Sequence, residues 1–139
     1  MADITVTAAQ VAVCFPERAE IFSGIAGVTI TAGQSVYMIV ASGKLGLADE
    51  DASAEASWVW GIALNGGGAG QAIDVLRRGH VYGFTVSGLA YALICNLSNT
   101  AGALTDGNSA TNPIARVVPL SNSDLTKVLY VDCTLAAQS

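Results

Sequence analysis

Asp49-Glu50-Asp51, followed closely by Glu55, is the densest acidic run in the chain. Clustered carboxylates are the natural ligands of a hard cation such as Ca²⁺. A calcium loop, however, spaces its Asp and Asn ligands at regular alternate positions, and that spacing is absent here. The run reads as a solvated loop tip. Glycoside hydrolysis would need two carboxylates held in different environments of one cleft, and nothing in the residue order marks such a pair. His80 is the only histidine, set between Arg77-Arg78-Gly79 and Val81-Tyr82. No Gly-x-Ser-x-Gly elbow occurs and no cysteine is placed for activation by this imidazole, so His80 reads as a satisfied or exposed turn residue. At a subunit contact it would make assembly sensitive to pH.

Cys14, Cys95 and Cys133 are far apart and odd in number. Without a Cys-x-x-Cys or paired-His spacing they form no metal site, and in a reducing compartment they are buried small hydrophobes. Asn65-Gly-Gly-Gly-Ala-Gly70 resembles a phosphate-cradling loop in composition only. Such loops open a helix, whereas these glycines lead into Gln71-Ala-Ile-Asp-Val75, an alternating strand, so a flexible hairpin is expected. Arg77 and Arg78 sit at a strand end and point to opposite faces, as a surface pair or as partners for acidic groups on a neighbouring subunit. No catalytic, cofactor-binding or metal-ligating residue is assigned, and no enzyme activity is expected.

The elements around these residues are those of one small domain. The chain has 139 residues, 52% of them hydrophobic and only 12% charged. That is about half the usual charged share, and far from the composition of a disordered chain. The apolar excess has two readings: a compact, small-residue-rich β core whose Ala content inflates the count, or apolar surface covered by partner subunits. A net charge of −5 with no basic cluster beyond Arg77-Arg78 argues against direct nucleic-acid binding. Gly, Ser, Asp or Arg interrupts every apolar run before the length of a membrane helix. Met1-Ala-Asp-Ile-Thr-Val6 lacks the charged and apolar regions of a signal peptide, so synthesis and assembly in the cytoplasm are expected.

Short strands recur along the chain: Val36–Val40, Leu45–Ala48, Trp58–Leu64, Ile73–Arg77, Val81–Val86, Ala90–Leu97, Ile114–Leu120 and Leu125–Leu135. Turn-forming clusters separate them at Ala41–Gly43, Asn65–Gly70, Ser98–Thr100 and Asp106–Ser109. Only Glu50–Ala56 has the composition of a helical turn. The pattern predicts an all-β domain, a compact β-sandwich or barrel. The same strand–hairpin–strand design occurs twice, over about residues 33–79 and 88–134, with matched positions about 55 residues apart. Gly33-Gln-Ser-Val-Tyr-Met-Ile-Val40 opens the first copy and Gly88-Leu-Ala-Tyr-Ala-Leu-Ile-Cys95 the second. Residues 1–24 form an N-terminal strand or extended arm ahead of a single domain over 25–139.

Period-2 alternation places Trp58, Trp60, Ile62 and Leu64 on one face of their strand and Val59, Gly61 and Ala63 on the other. The bulky face is expected in the core, and the small one free for another sheet or chain. Arg116 and Pro119 argue against a central place for the equivalent strand of the second copy.

Val28-Thr-Ile-Thr-Ala-Gly-Gln-Ser-Val-Tyr37, Gly43-Lys-Leu-Gly-Leu-Ala-Asp49, Trp60-Gly-Ile-Ala-Leu-Asn65 and Gly70-Gln-Ala-Ile-Asp-Val75 follow one another in an order that resembles the capsid-cement, or head-decoration, proteins of tailed bacteriophages. Gly88-Leu-Ala-Tyr91 and Gly102-Ala-Leu-Thr-Asp106 fit the same pattern, and the likeness spans about residues 25–135. It implies an all-β homotrimer on the outer surface of an assembled virion head, clamping adjacent subunits of the major capsid protein, with no cofactor, no nucleic-acid partner and no membrane. The alternative is a virion-surface binding module, such as a tail, fibre or carbohydrate-binding domain, in which Trp58 and Trp60 would serve as stacking platforms.

Overall fold

A computed structural model describes residues 3–106 and 113–133. The fold is nearly all β, an antiparallel sheet curled into a half-barrel. Its strands are β1 (Ala12–Val13), β2 (Glu20–Ile25), β3 (Ser35–Met38), β4 (Leu45–Leu47), β5 (Val59–Ala63), β6 (Ala72–Tyr82), β7 (Ile94–Leu97), β8 (Leu104–Thr105), β9 (Pro113–Pro119) and β10 (Lys127–Asp132). The Asp106–Ser109 turn lies outside the described residues from position 107, as does the end of the strand predicted to reach Leu135.

The duplicated pattern is carried into the hydrogen bonding. The sheet runs β4-β3-β5-β6-β10-β9-β7-β8, so that the order of the first four strands is mirrored by the last four across a β6–β10 seam. Equivalent strands begin between 54 and 59 residues apart. Even the irregularities correspond: the register shifts between Val36 and Tyr37 where β3 meets β5, and between Cys95 and Asn96 where β7 meets β9. A bulge puts two residues opposite one and flips which side chains face inward beyond it. Its recurrence at matched positions makes it part of the repeated unit.

β6 is the axis of the molecule. On one side it pairs with β5 through Val75 and Leu76 and with β10 from Arg78 to Val81; on the other with β2 from Ala72 to Arg78 and with β1 at Val81 and Tyr82. Glu20 lies opposite Arg78 but Ile21 opposite Leu76, leaving Arg77 as the extra residue of a bulge. Alternation sends Val75 and Leu76 to different cores, and the extra residue at 77 lets Leu76 and Val81, five positions apart, share one. Ile73 and Val75 join a smaller cluster with Ala26, Ile30, Val36, Leu45 and Ala63, while Leu76 and Val81 join a larger one with Ile62, Leu97, Ile114, Val117 and Leu129. Burial of each such Leu, Ile or Val contributes about 1.5–3 kcal/mol. The smaller core is closed by a parallel bridge between Ala26 and Leu45, with the Gly27 N–H donating to the Leu45 carbonyl at 2.8 Å.

The N-terminal segment is extended, and it is held along the domain. Ile4 is buried in the larger core and its N–H donates to Leu104 O at 2.8 Å; Thr7 N–H reaches Gly83 O at 2.8 Å.

Three details depart from the simple alternation. Tyr37 pairs with Val59 and Val36 with Gly61, so Trp60 is a bulge residue: it packs on the smaller core, whereas Ile62 enters the larger one. Trp58 precedes the strand, capping a 3-10 turn at Glu55–Ser57, and neither tryptophan is fully buried. The strands predicted at 73–77 and 81–86 are largely one continuous strand, because Gly79 takes φ +146° without ending it. Finally, β9 is paired on both sides despite Arg116 and Pro119, since Arg116 points to solvent and Pro119 is the last residue of the strand.

Candidate interaction surface

The polar residues singled out by type are satisfied within the chain. The Asp51 N–H donates to Asp49 Oδ1 at 3.2 Å, Glu50 N–H to Ser98 O at 3.1 Å, and Glu55 Oε2 accepts the Val40 N–H at 2.9 Å. The hydrogen bond to the Asp49 carboxyl, with repulsion from it and from Glu50, raises the Asp51 carboxyl above its ordinary value. Among the described residues, no group of three or more His, Cys, Asp or Glu side chains could hold a metal ion.

The amides of Gly67, Gly68 and Gly70 are bonded within the chain, to Ile30, Gln71 and Ala26. Gly67 exchanges backbone hydrogen bonds with Ile30 at 2.8 and 2.9 Å, Gly68 N–H donates to Gln71 Oε1 at 2.7 Å, and Asn65 Oδ1 accepts the Asp74 N–H at 2.7 Å. Gly70 takes φ +90°, a conformation that favours glycine, and turns the chain into β6. The loop is a hairpin connection, as its lead into a strand requires.

His80 lies between two rings, edge-on to Phe15 at 5.3 Å and tilted against Tyr130 at 5.1 Å between centroids. Burial, aided by the nearby Arg18 charge, lowers its basicity. Burial lifts all three thiols, Cys95 to about 11 and Cys133 to about 12. A thiol held there is a poor nucleophile at neutral pH.

The two arginines serve different ends of the bulge. The Arg78 Nε stands 3.8 Å from Asp132 Oδ1. Arg77 donates to the Trp60 carbonyl at 2.9 Å, lies over the indole ring, and stands 3.8 Å from Glu20 Oε1. Phe22 meets the same indole edge-on at 5.5 Å. Both arginines are paired inside the chain, and Trp60 has a guanidinium on its ring.

The exposed apolar groups form a feature that no motif announced. β2 carries Ile21, Phe22 and Ile25, each 43% exposed; the face of Phe22 and Gly24 is only partly covered, by Trp60 and Leu45. Val28, Met38 and Val40 add exposed apolar side chains on the segments that follow. On the other half of the sheet, Ile94, Pro113, Ile114, Ala115, Arg116, Tyr130 and Asp132 line a largely apolar groove of about 340 Å³. The sequence signal was the absence of alternation in Ile21-Phe22, where a half-buried strand would place a polar residue. Contiguous exposed apolar side chains of this kind mark surfaces that other molecules cover.

No protein-family model, no curated protein and no solved structure matches this chain.

Proposed function

We propose that this protein is a structural surface component of a bacteriophage head, a cement protein that binds the outside of the assembled shell and bridges adjacent major capsid subunits as a homo-oligomer. One observation carries this reading. Exposed apolar side chains line β2, and on the other half of the same sheet the exposed Ile94 opens onto the largely apolar β7–β9–β10 groove. A rigid body with two contact patches suits a clamp, since each patch can hold a different neighbour. The motif order and its resemblance to head-decoration proteins supply the identity of the neighbours. Binding only the assembled shell stabilises that state by mass action, and several copies joined together multiply weak contacts. The sugar-binding alternative loses support because Arg77 lies on the ring of Trp60 and Trp58 is half-buried.

Purified heads test the proposal. The protein is expected in many copies per particle, and adding it back to stripped heads should raise their melting temperature. Its absence from heads, or presence in only a few copies, would overturn the reading.

A further inference from the structure

We propose that Asn65 is a self-modification site gated by the hairpin it closes: the closed loop protects its amide, opening lets the amide cyclise onto Gly66, and the acid that results keeps the loop from closing again. The inference goes beyond the capsid reading and does not rest on it.

The side chain of Asn65 stands in for a peptide group. β5 and β6 pair Ile62 with Leu76 and Ala63 with Val75, and the Leu64 N–H continues the ladder to Asp74 O at 2.8 Å. An unbroken antiparallel ladder would next give the Asp74 N–H to the Leu64 carbonyl and the Gly66 N–H to the Ala72 carbonyl. Asn65 serves both positions instead. Its Oδ1 accepts the Asp74 N–H at 2.7 Å, and its Nδ2 donates to Ala72 O at 3.1 Å. An amide can accept at one atom and donate at the other, whereas a carboxylate can only accept. The exchange leaves the Gly66 N–H without an acceptor among the described residues, in an exposed glycine with no side chain to obstruct it.

Asn65 is also the one asparagine of the chain followed by glycine. Asparagine is chemically labile, and the reacting atoms are adjacent. The Gly66 nitrogen gives its proton to water and bonds to the Asn65 Cγ. The Cγ–Nδ2 bond breaks, and Nδ2 takes up a proton and leaves as ammonia. Water then opens the cyclic imide at either carbonyl, giving aspartate or isoaspartate. In the closed hairpin the amide is held at both ends against β6, so it cannot swing onto the Gly66 nitrogen until the loop opens.

The product cannot resume the role. Aspartate still accepts from Asp74, but its second oxygen faces the Ala72 carbonyl, acceptor against acceptor. Isoaspartate adds a methylene to the main chain and takes one from the side chain, which moves the carboxylate out of the ladder. Ala72, Ile73 and Asp74 also pair with Ile25, Gly24 and Ser23 of β2, while Gly67 and Gly70 bond to Ile30 and Ala26. A loop that stays open therefore loosens the end of β2 and the exposed apolar side chains it carries.

Mass spectrometry of the tryptic peptide 45–77 from the full-length protein, with enzymatic isoaspartate labelling, follows the conversion at pH 8. Asn65 is expected to convert readily in urea, and at least about tenfold more slowly in the folded protein. Gln71→Ala removes the acceptor of the Gly68 N–H and leaves Asn65 in place. It should speed conversion of the folded protein several-fold and leave the rate in urea unchanged. Aged protein, separated from fresh by its extra negative charge, should exchange amide hydrogens faster across residues 66–74 while β9 and β10 stay protected. Equal rates folded and in urea, an Asn65 that stays intact in urea, or a folded Gln71→Ala that converts no faster than wild type would each overturn the proposal. If Gln71→Ala fails to fold, unchanged exchange across 66–74 in aged wild type decides against it. Copy number on heads is read separately, so either proposal can fail without the other.

Discussion

The Arg77 guanidinium lies 4.0 Å from the centroid of the Trp60 ring and donates to the carbonyl of the same residue at 2.9 Å. Each of these residues is the extra one in its own bulge, Trp60 on β5 and Arg77 on β6. Two local irregularities are thus locked to each other by a side chain that needs a planar, permanently charged head. Arg77→Ala is expected to lower stability by about 1–3 kcal/mol through loss of the stack and a charge-assisted hydrogen bond. Arg77→Lys should recover only part of it. Urea titration of both variants measures the difference, and equal stability of wild type and Arg77→Ala would reject the role.

Gly61 is required by close approach. A Cβ there would lie 2.4 Å from Val75 Cγ1 and 2.5 Å from the Leu76 carbonyl oxygen, which belongs to the backbone and cannot rotate away. Gly61→Ala is expected to cost about 3 kcal/mol or to prevent folding. Gly43 makes the contrast: its φ is +74° but nothing lies within 4 Å, so Gly43→Ala should cost only about 1 kcal/mol. Thermal melts of the two variants should rank them in that order.

Removal of residues 1–14 should destabilise the domain. It takes Ile4 from the larger core, the Thr7–Gly83 hydrogen bond and β1. The single change Ile4→Ala should already cost about 2–4 kcal/mol. A truncated protein that unfolds at the wild-type urea midpoint would show that the segment is only an appendage.

His80 gives stability a pH dependence with a definite sign. Burial, with Arg18 second, holds its folded pKa below the ordinary value of about 6.5. Between the two values the unfolded chain binds more protons than the folded one, so stability rises with pH there. This contribution is fully present above the unfolded pKa and is lost as pH falls through the lower folded one. The groups facing the imidazole are Phe15, Tyr130 and Arg18. Melting temperatures measured from pH 7.5 to 5 should fall more steeply for wild type than for His80→Gln.

Thiol titration separates the cysteines. Cys95 and Cys133 are buried, and Cys14 is half-buried. A disulfide reagent at pH 8 should modify Cys14 slowly and leave the other two untouched until denaturant is added. Rapid reaction of all three would mean that the larger core opens readily.

The all-β class, the strand sequence of each half and the doubling were legible because turn residues and short apolar runs are local signals. Gly33 to Val40 contains β3, but Gly88 to Cys95 reaches only the start of β7: residues 88–93 are turns, and the structure matches Val36 with Cys95, four positions beyond the match read from the sequence. The faces of Trp60 and Ile62 were not legible. Alternation assumes an unbroken pleat, and a bulge is set by the partner strand, here the pairing of Tyr37 with Val59. The continuity of β6 through Gly79 was hidden for a similar reason: four neighbouring strands hold it straight across a residue that alone would suggest a break. The exposed apolar groups of β2 could be read as apolar but not as exposed, since exposure depends on what the rest of the chain leaves uncovered.

The mirrored strand order has a historical consequence. Two equivalent four-strand halves, facing each other across antiparallel terminal strands, have the geometry of a dimer whose subunits have been fused into one polypeptide. The β6–β10 seam would then descend from an intermolecular contact, with Val81 against Leu129 and Gly79 against Val131 as its remnant. Fusion frees such halves from identical selection. Only β6 gained flanking strands from the N-terminus, and it runs to 11 residues where β10 has 6. Among the described residues, β2 and its open edge have no counterpart in the second half, so that edge lies outside the mirrored plan.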